Sequence, residues 1–145
     1  MNILRSKYLF LFGLLVACEP NLSDDPIPYV AFNDIVLNLN LPEYISLRTD
    51  GGHKEISGGV RGIIVYRVNS TTYKAYERNC SFQPNEACAT VNVHTSGLFM
   101  TDPCCGSNFN FSDGNPSGEP AWRPLVRYRT QLSGTDLTIS SDIVN

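Results

Sequence analysis

Four of the five cysteines in this chain fall between positions 80 and 105, in two short loops. One runs Arg78-Asn79-Cys80-Ser81-Phe82-Gln83-Pro84 and ends at Cys88; the other runs Asp102-Pro103-Cys104-Cys105-Gly106-Ser107-Asn108-Phe109. Thiols gathered in this way, with the Asp102 carboxylate among them, support either disulfide staples or a metal site. Cys104 and Cys105 are adjacent, so a bond between them would close a small ring strained against ordinary disulfide geometry. If all four are oxidised, the loops are therefore tied to each other twice, and the residues alone leave both cross-pairings open.

Loops of this kind, each following a short β-like run, resemble the cluster-binding loops of Rieske iron-sulfur domains. In that family C-x-H in one loop and C-P-x-H-G-S in the other hold a [2Fe-2S] cluster through two thiolates and two imidazoles. The thiolate positions fall here on Cys80 and Asp102, and the imidazole positions on Phe82 and Cys105. Cys80 alone matches its ligand, and Phe82 has no lone pair to offer iron. Gly106, Ser107, Phe109 and the Asp113-Gly114 turn do match, and Gly118-Glu119-Pro120-Ala121 is similar to the family's Gly-Pro-Ala loop with one inserted glutamate. The resemblance covers roughly residues 60–140 and implies an all-β, antiparallel β-sandwich with a small cysteine-loop subdomain. It also implies a Cys88–Cys104 interloop bridge, with Cys80–Cys105 then spanning the vacated cluster site. No cofactor is expected; a retained [2Fe-2S] cluster on Cys80, Asp102 and Cys105 is the alternative.

The elements that must position these loops are β throughout. Ile35-Val36-Leu37-Asn38-Leu39-Asn40-Leu41 alternates, setting Leu37, Leu39 and Leu41 on one face, and Tyr44-Ile45-Ser46-Leu47 is expected to continue as strand. Asp50-Gly51-Gly52 offers a hairpin turn. Residues 62–68, GIIVYRV, are nearly continuous and β-branched, which suits a strand covered on both faces. Residues 72–78 alternate and deliver the first loop. A hairpin of residues 91–94 and 98–101 around Ser96-Gly97 delivers the second. Phe109 and Phe111 suggest a short strand leaving it, residues 117–124 an ordered Pro-containing loop with Trp122, and residues 126–132 and 137–140 the closing strands. No ten-residue stretch carries a helical period with caps.

Ahead of the domain, residues 1–17 combine basic Arg5 and Lys7 with an apolar run at residues 8–16, about half the length a bilayer crossing needs. Leu15-Val16-Ala17-Cys18 resembles a bacterial lipobox, so residues 1–17 are expected to be a removed signal peptide and Cys18 a lipidation site. Residues 18–28 read as a flexible tether and 29–145 as the β domain. The Asp24-Asp25 pair reads as acidity of the tether, with a resemblance to the surface-export signals of some outer-membrane lipoproteins as the alternative. Losing Arg5 and Lys7 with the leader takes the net charge from −3 to −5, which excludes a nucleic-acid partner on electrostatic grounds.

Twin arginines, the usual export signal of folded, cluster-loaded cargo, are absent from Arg5-Ser6-Lys7. There is no Gly-x-Ser-x-Gly, His-Glu-x-x-His or phosphate-binding glycine loop, so no catalytic residue is assigned. His53 and His94 are too isolated to form a metal pair and are expected on the surface. The sequence thus points to a lipid-anchored, disulfide-stabilised binding or structural module of the bacterial cell envelope, on the outer membrane. Its partner would be an envelope protein or a small ligand. Electron transfer through an altered cluster and thiol-disulfide exchange through Cys105 are the competing readings.

Overall fold

Strands β3 (Ile63–Asn69) and β4 (Thr72–Glu77) divide the interior in two. Their antiparallel register sets Ile64 opposite Tyr76, and Ile63 and Val65 opposite Glu77 and Ala75. Because strand side chains alternate, Ile64 and Tyr76 enter one buried cluster while Ile63, Val65, Tyr73 and Ala75 enter another. The run of β-branched residues is therefore covered on both faces, as its composition predicts.

These features belong to a computed structural model that describes residues 25–144. Strands β1 (Ile35–Asn38), β2 (His53–Ile56), β8 (Arg127–Ser133) and β9 (Asp136–Ile143) join β3 and β4 in a six-stranded antiparallel sheet of order β1-β9-β8-β4-β3-β2. One face of this sheet encloses Leu37, Leu47, Ile63, Val65, Tyr128, Leu137 and Ile139. Between β4 and β8 the chain makes a three-stranded sheet of β5 (Asn92–Val93), β6 (Met100–Thr101) and β7 (Asn108–Phe109), in that order. This cysteine-loop subdomain packs on the other face of β3 and β4, where Tyr76 donates a hydrogen bond to the Phe111 carbonyl (2.9 Å) and Tyr66 stacks on Phe111 with centroids 4.3 Å apart. The all-β sandwich with a cysteine-loop subdomain is thus the observed fold.

Three local expectations are corrected. Residues Pro42–Arg48 form a 3-10 helix rather than a strand. Pro42 at its start supplies a fixed φ and lacks an N–H to lose, Glu43 lies in its first turn and Arg48 in its last, so the signals are those of a helix end too short to show a period. β1 stops at Asn38, leaving Leu37 and Leu39 buried but Leu41 exposed as the residue preceding that helix. The Asp50-Gly51-Gly52 turn consequently joins the helix to β2 and does not close a hairpin.

One buried carboxylate organises the junction between sheet and loops. Glu77 Oε1 accepts hydrogen bonds from the Arg61 and Asn79 amides (3.0 and 2.9 Å), and Oε2 from the Val60 amide and Tyr128 hydroxyl (2.8 and 2.7 Å). Gly59 passes so close that a Cβ there would sit 2.1 Å from Glu77 Oε2, and its φ of +61° is one that glycine adopts without strain.

Candidate functional site

The first loop leaves β4 and is held by backbone and arginine contacts. Cys80 N–H donates to the Ala89 carbonyl (3.1 Å), and Val91 N–H donates to the Arg78 carbonyl (2.7 Å). Arg61 reaches across to donate to the Ala87 and Glu86 carbonyls (2.7 and 2.6 Å) and to Asn79 Oδ1. The second loop turns tightly: Asp102 N–H donates to Ser107 O and Gly106 N–H to Asp102 O (2.9 and 2.8 Å). Asp102 Oδ1 caps this turn by accepting from the Cys104 amide at 2.8 Å. The following proline loop closes over it, with the buried Ala121 amide donating to Ser107 Oγ (3.1 Å).

This geometry brings together three of the residues singled out from the sequence. Ligand-capable atoms of Cys80, Asp102 and Cys105 all lie within 4.8 Å of one another. Cys105 Sγ is 3.9 Å from Cys80 Sγ, 3.4 Å from Asp102 Oδ2 and 3.0 Å from Ser107 Oγ. Cys80 and Asp102 are completely buried and Cys105 is partly exposed. Burial, reinforced by the hydrogen bond to Asp102, pushes the Cys80 thiol well above its ordinary range. A thiol held protonated is a poor nucleophile, so thiol exchange would have to begin at Cys105.

Cys88 and Cys104 form a disulfide between the loops, with Cα atoms 5.5 Å apart. The expected Cys80–Cys105 bond is corrected: both are thiols, and their sulfurs stand at nearly twice the S–S bond length of about 2.05 Å. Cys105 donates instead to Asp102 Oδ2. Phe82, at an imidazole position of the resemblance, is buried in the same apolar cluster as Cys80, Val91, Met100 and Phe109. His53 and His94 stand apart from the site, stacked on Phe111 and Phe99 respectively. Cys18 and the leader lie outside the described residues.

No protein-family model and no curated protein matches the chain. Solved structures do. The cyanobacterial plasma membrane Rieske protein PetC3 from Synechocystis PCC 6803 superposes with a TM-score of 0.50 at 25% identity, covering 61% of this chain and 85% of that one. The domain is Rieske-like. Two further similarities are to a chain of the complex of reduced oxygenase and oxidized ferredoxin in carbazole 1,9a-dioxygenase and to the ferredoxin of carbazole 1,9a-dioxygenase from Nocardioides aromaticivorans IC177. The first is 20% identical over 67% of this chain and 87% of that one, with a TM-score of 0.48. The second is 17% identical over 77% and 96%, with a TM-score of 0.47.

The Rieske-like domain keeps the loops' frame and changes the donors, and those present do not fit a two-iron cluster. In a Rieske centre the thiolates serve one iron and the imidazoles the other. By the resemblance Cys80 falls at a thiolate position and Cys105 at an imidazole position, so a cluster would need them on different irons, yet their sulfurs are only 3.9 Å apart. The fourth position, Phe82, supplies no donor. What remains is a compact group of two sulfurs and a carboxylate able to take a metal ion.

Two supports of this site were missed from sequence. Glu77 shares the inward face of Tyr73 and Ala75, so an acidic residue on a buried alternation was its available signal. Arg61 sits in a glycine-rich stretch with no periodicity, and nothing local marks it as the brace of a loop more than twenty residues away.

Proposed function

We propose that this chain is a lipid-anchored, cluster-free Rieske-like module of the bacterial cell envelope, serving as a binding or structural unit stapled by its Cys88–Cys104 bridge. The observation that carries this reading is Phe82. A phenyl ring packed in the apolar cluster, at a position where the fold would use an imidazole, removes a ligand and fills its place with hydrocarbon. Anchoring rests on the lipobox at residues 15–18 and would put the module on the outer membrane, facing an envelope protein or a small ligand.

The competing reading is electron transfer through an altered [2Fe-2S] site on Cys80, Asp102 and Cys105, favoured by the convergence of those three donors. Anaerobic purification of the full chain, followed by iron and acid-labile sulfide analysis and a visible spectrum, separates the two. The expected protein is colourless and free of labile sulfide. Two irons and two sulfides per chain, with an electron paramagnetic resonance signal on reduction, would overturn the proposal. Anchoring is checked by Cys18→Ser, which should move the protein from the membrane fraction to the soluble one.

A further inference from the structure

We propose that Cys80, Asp102 and Cys105 together bind one divalent cation, zinc in an exported protein, in a four-coordinate site whose remaining position takes water. This inference rests on the reading that no two-iron cluster occupies the loops. The spacing carries it. With metal–sulfur bonds of about 2.3 Å and metal–oxygen bonds of about 2.1 Å, one tetrahedral centre separates two sulfurs by about 3.8 Å and a sulfur from an oxygen by about 3.6 Å. The corresponding distances here are 3.9 Å and 3.4 Å. Two of the three donor edges thus match a single tetrahedron, and the third, from Cys80 Sγ to the Asp102 carboxylate, is within 4.8 Å, so a small side-chain shift completes the set.

A second observation points the same way. Asp102 is fully buried, and no cationic side chain among the described residues pairs with it. Its side-chain partners are the Cys104 amide and the Cys105 thiol, with the Cys80 sulfur within 4.8 Å. A buried carboxylate in that setting lacks the counter-charge that normally offsets its desolvation, and a bound cation supplies it. The outer shell is also in place. Ser107 Oγ accepts from the Ala121 amide, which leaves its proton to donate to Cys105 Sγ. Binding would release the two thiol protons to solvent and replace them with the cation. Two metal–sulfur bonds and one metal–oxygen bond form as the aqua ion sheds all of its waters except the one in the remaining position, and no oxidant or reductant is required.

The test uses the full chain exported to the envelope and purified anaerobically without chelator or reductant, with the metal counted by mass spectrometry. After the bound ion is stripped, the protein is titrated with cobalt(II). One cobalt per chain, with near-ultraviolet sulfur-to-metal charge transfer and the visible bands of tetrahedral cobalt, is expected. Cys105→Ser should roughly halve the charge-transfer intensity by leaving one sulfur of two. Ser107→Ala should weaken cobalt binding about tenfold, and Asp102→Asn, which keeps the side chain's shape, by more. Circular dichroism of each variant confirms that the fold persists. Featureless cobalt spectra, affinity unchanged in Asp102→Asn, or a Cys80–Cys105 disulfide in the purified chain would overturn the cation site and leave the cluster-free reading standing. Recovery of iron with labile sulfide would overturn both.

Discussion

The six-stranded sheet and the cysteine-loop subdomain are held together by different physics. The sheet contains two strands of seven and eight residues, β8 and β9, and encloses a core of aliphatic and tyrosine side chains. Each strand of the subdomain's sheet is two residues long, too short to fix a loop by ladder hydrogen bonds alone. Its loops are instead tied by the Cys88–Cys104 bond, by Arg61, and by the reciprocal pair in which Ser81 Oγ donates to Arg123 O and Arg123 donates to Ser81 O. Long sheets specify themselves by burial, whereas short loops need point-to-point ties. The same contrast places chemistry in the loops, because there polar atoms converge without a ladder to absorb them.

Substituting Glu77 attacks the joint on which both regions depend and should have the largest effect. Glu77→Ala strands four donors, the Asn79 amide and Tyr128 hydroxyl buried and the Val60 and Arg61 amides part-buried, and a loss of about 3–5 kcal/mol is expected in urea unfolding. A loss under about 1 kcal/mol would mean that the joint relaxes, against the typical penalty for orphaned buried donors. Removing the staple tests the subdomain alone. Cys88→Ser with Cys104→Ser opens a loop of sequence separation 16 and should cost about 2–3 kcal/mol. Faster amide exchange should be confined to residues 80–88 and 103–107; exchange rising equally in β8 and β9 would show that the two regions are one cooperative unit.

Alkaline titration probes one tyrosine from each core. Burial raises both Tyr76 and Tyr128 above the ordinary phenol value of 10.0, with the Glu77 carboxylate adding to the rise at Tyr128. Folding therefore favours the neutral phenols. Their contribution is fully present below about pH 10 and is lost as pH rises above it, because the unfolded chain ionises first. Absorbance at 295 nm should show both groups ionising only with loss of the native circular dichroism. Simultaneous titration of every tyrosine near pH 10 in the folded protein would break the comparison. The smallest effect belongs to Leu98, which is 78% exposed at the β5–β6 turn, where Leu98→Ser should change stability by less than about 0.5 kcal/mol.

Much of this was legible in the chain. The β-branched run at residues 63–65, the alternation of residues 72–77 and the closing runs at 126–132 and 137–140 signalled strands, the first because it is apolar on both faces and the second because it buries a face with period two. The 3-10 helix at Pro42–Arg48 was not legible, since its seven residues carry too few turns for a hydrophobic period to emerge. Within the site, Cys80, Asp102 and Cys105 could be named from their loops, but the state of the thiols could not.

The sequence by itself determined the all-β class, the loops that carry the chemistry, and the residue types available there, because these follow from periodicity, turn residues and side-chain donors. The resemblance already implied the Cys88–Cys104 bridge, which the structure contains, whereas only the tertiary structure decided that Cys80 and Cys105 stand as thiols beside the Asp102 carboxylate. Cys80 and Cys105, 25 positions apart, meet there through the packing of a small sheet on a large one, and no local rule encodes a distance set by that packing.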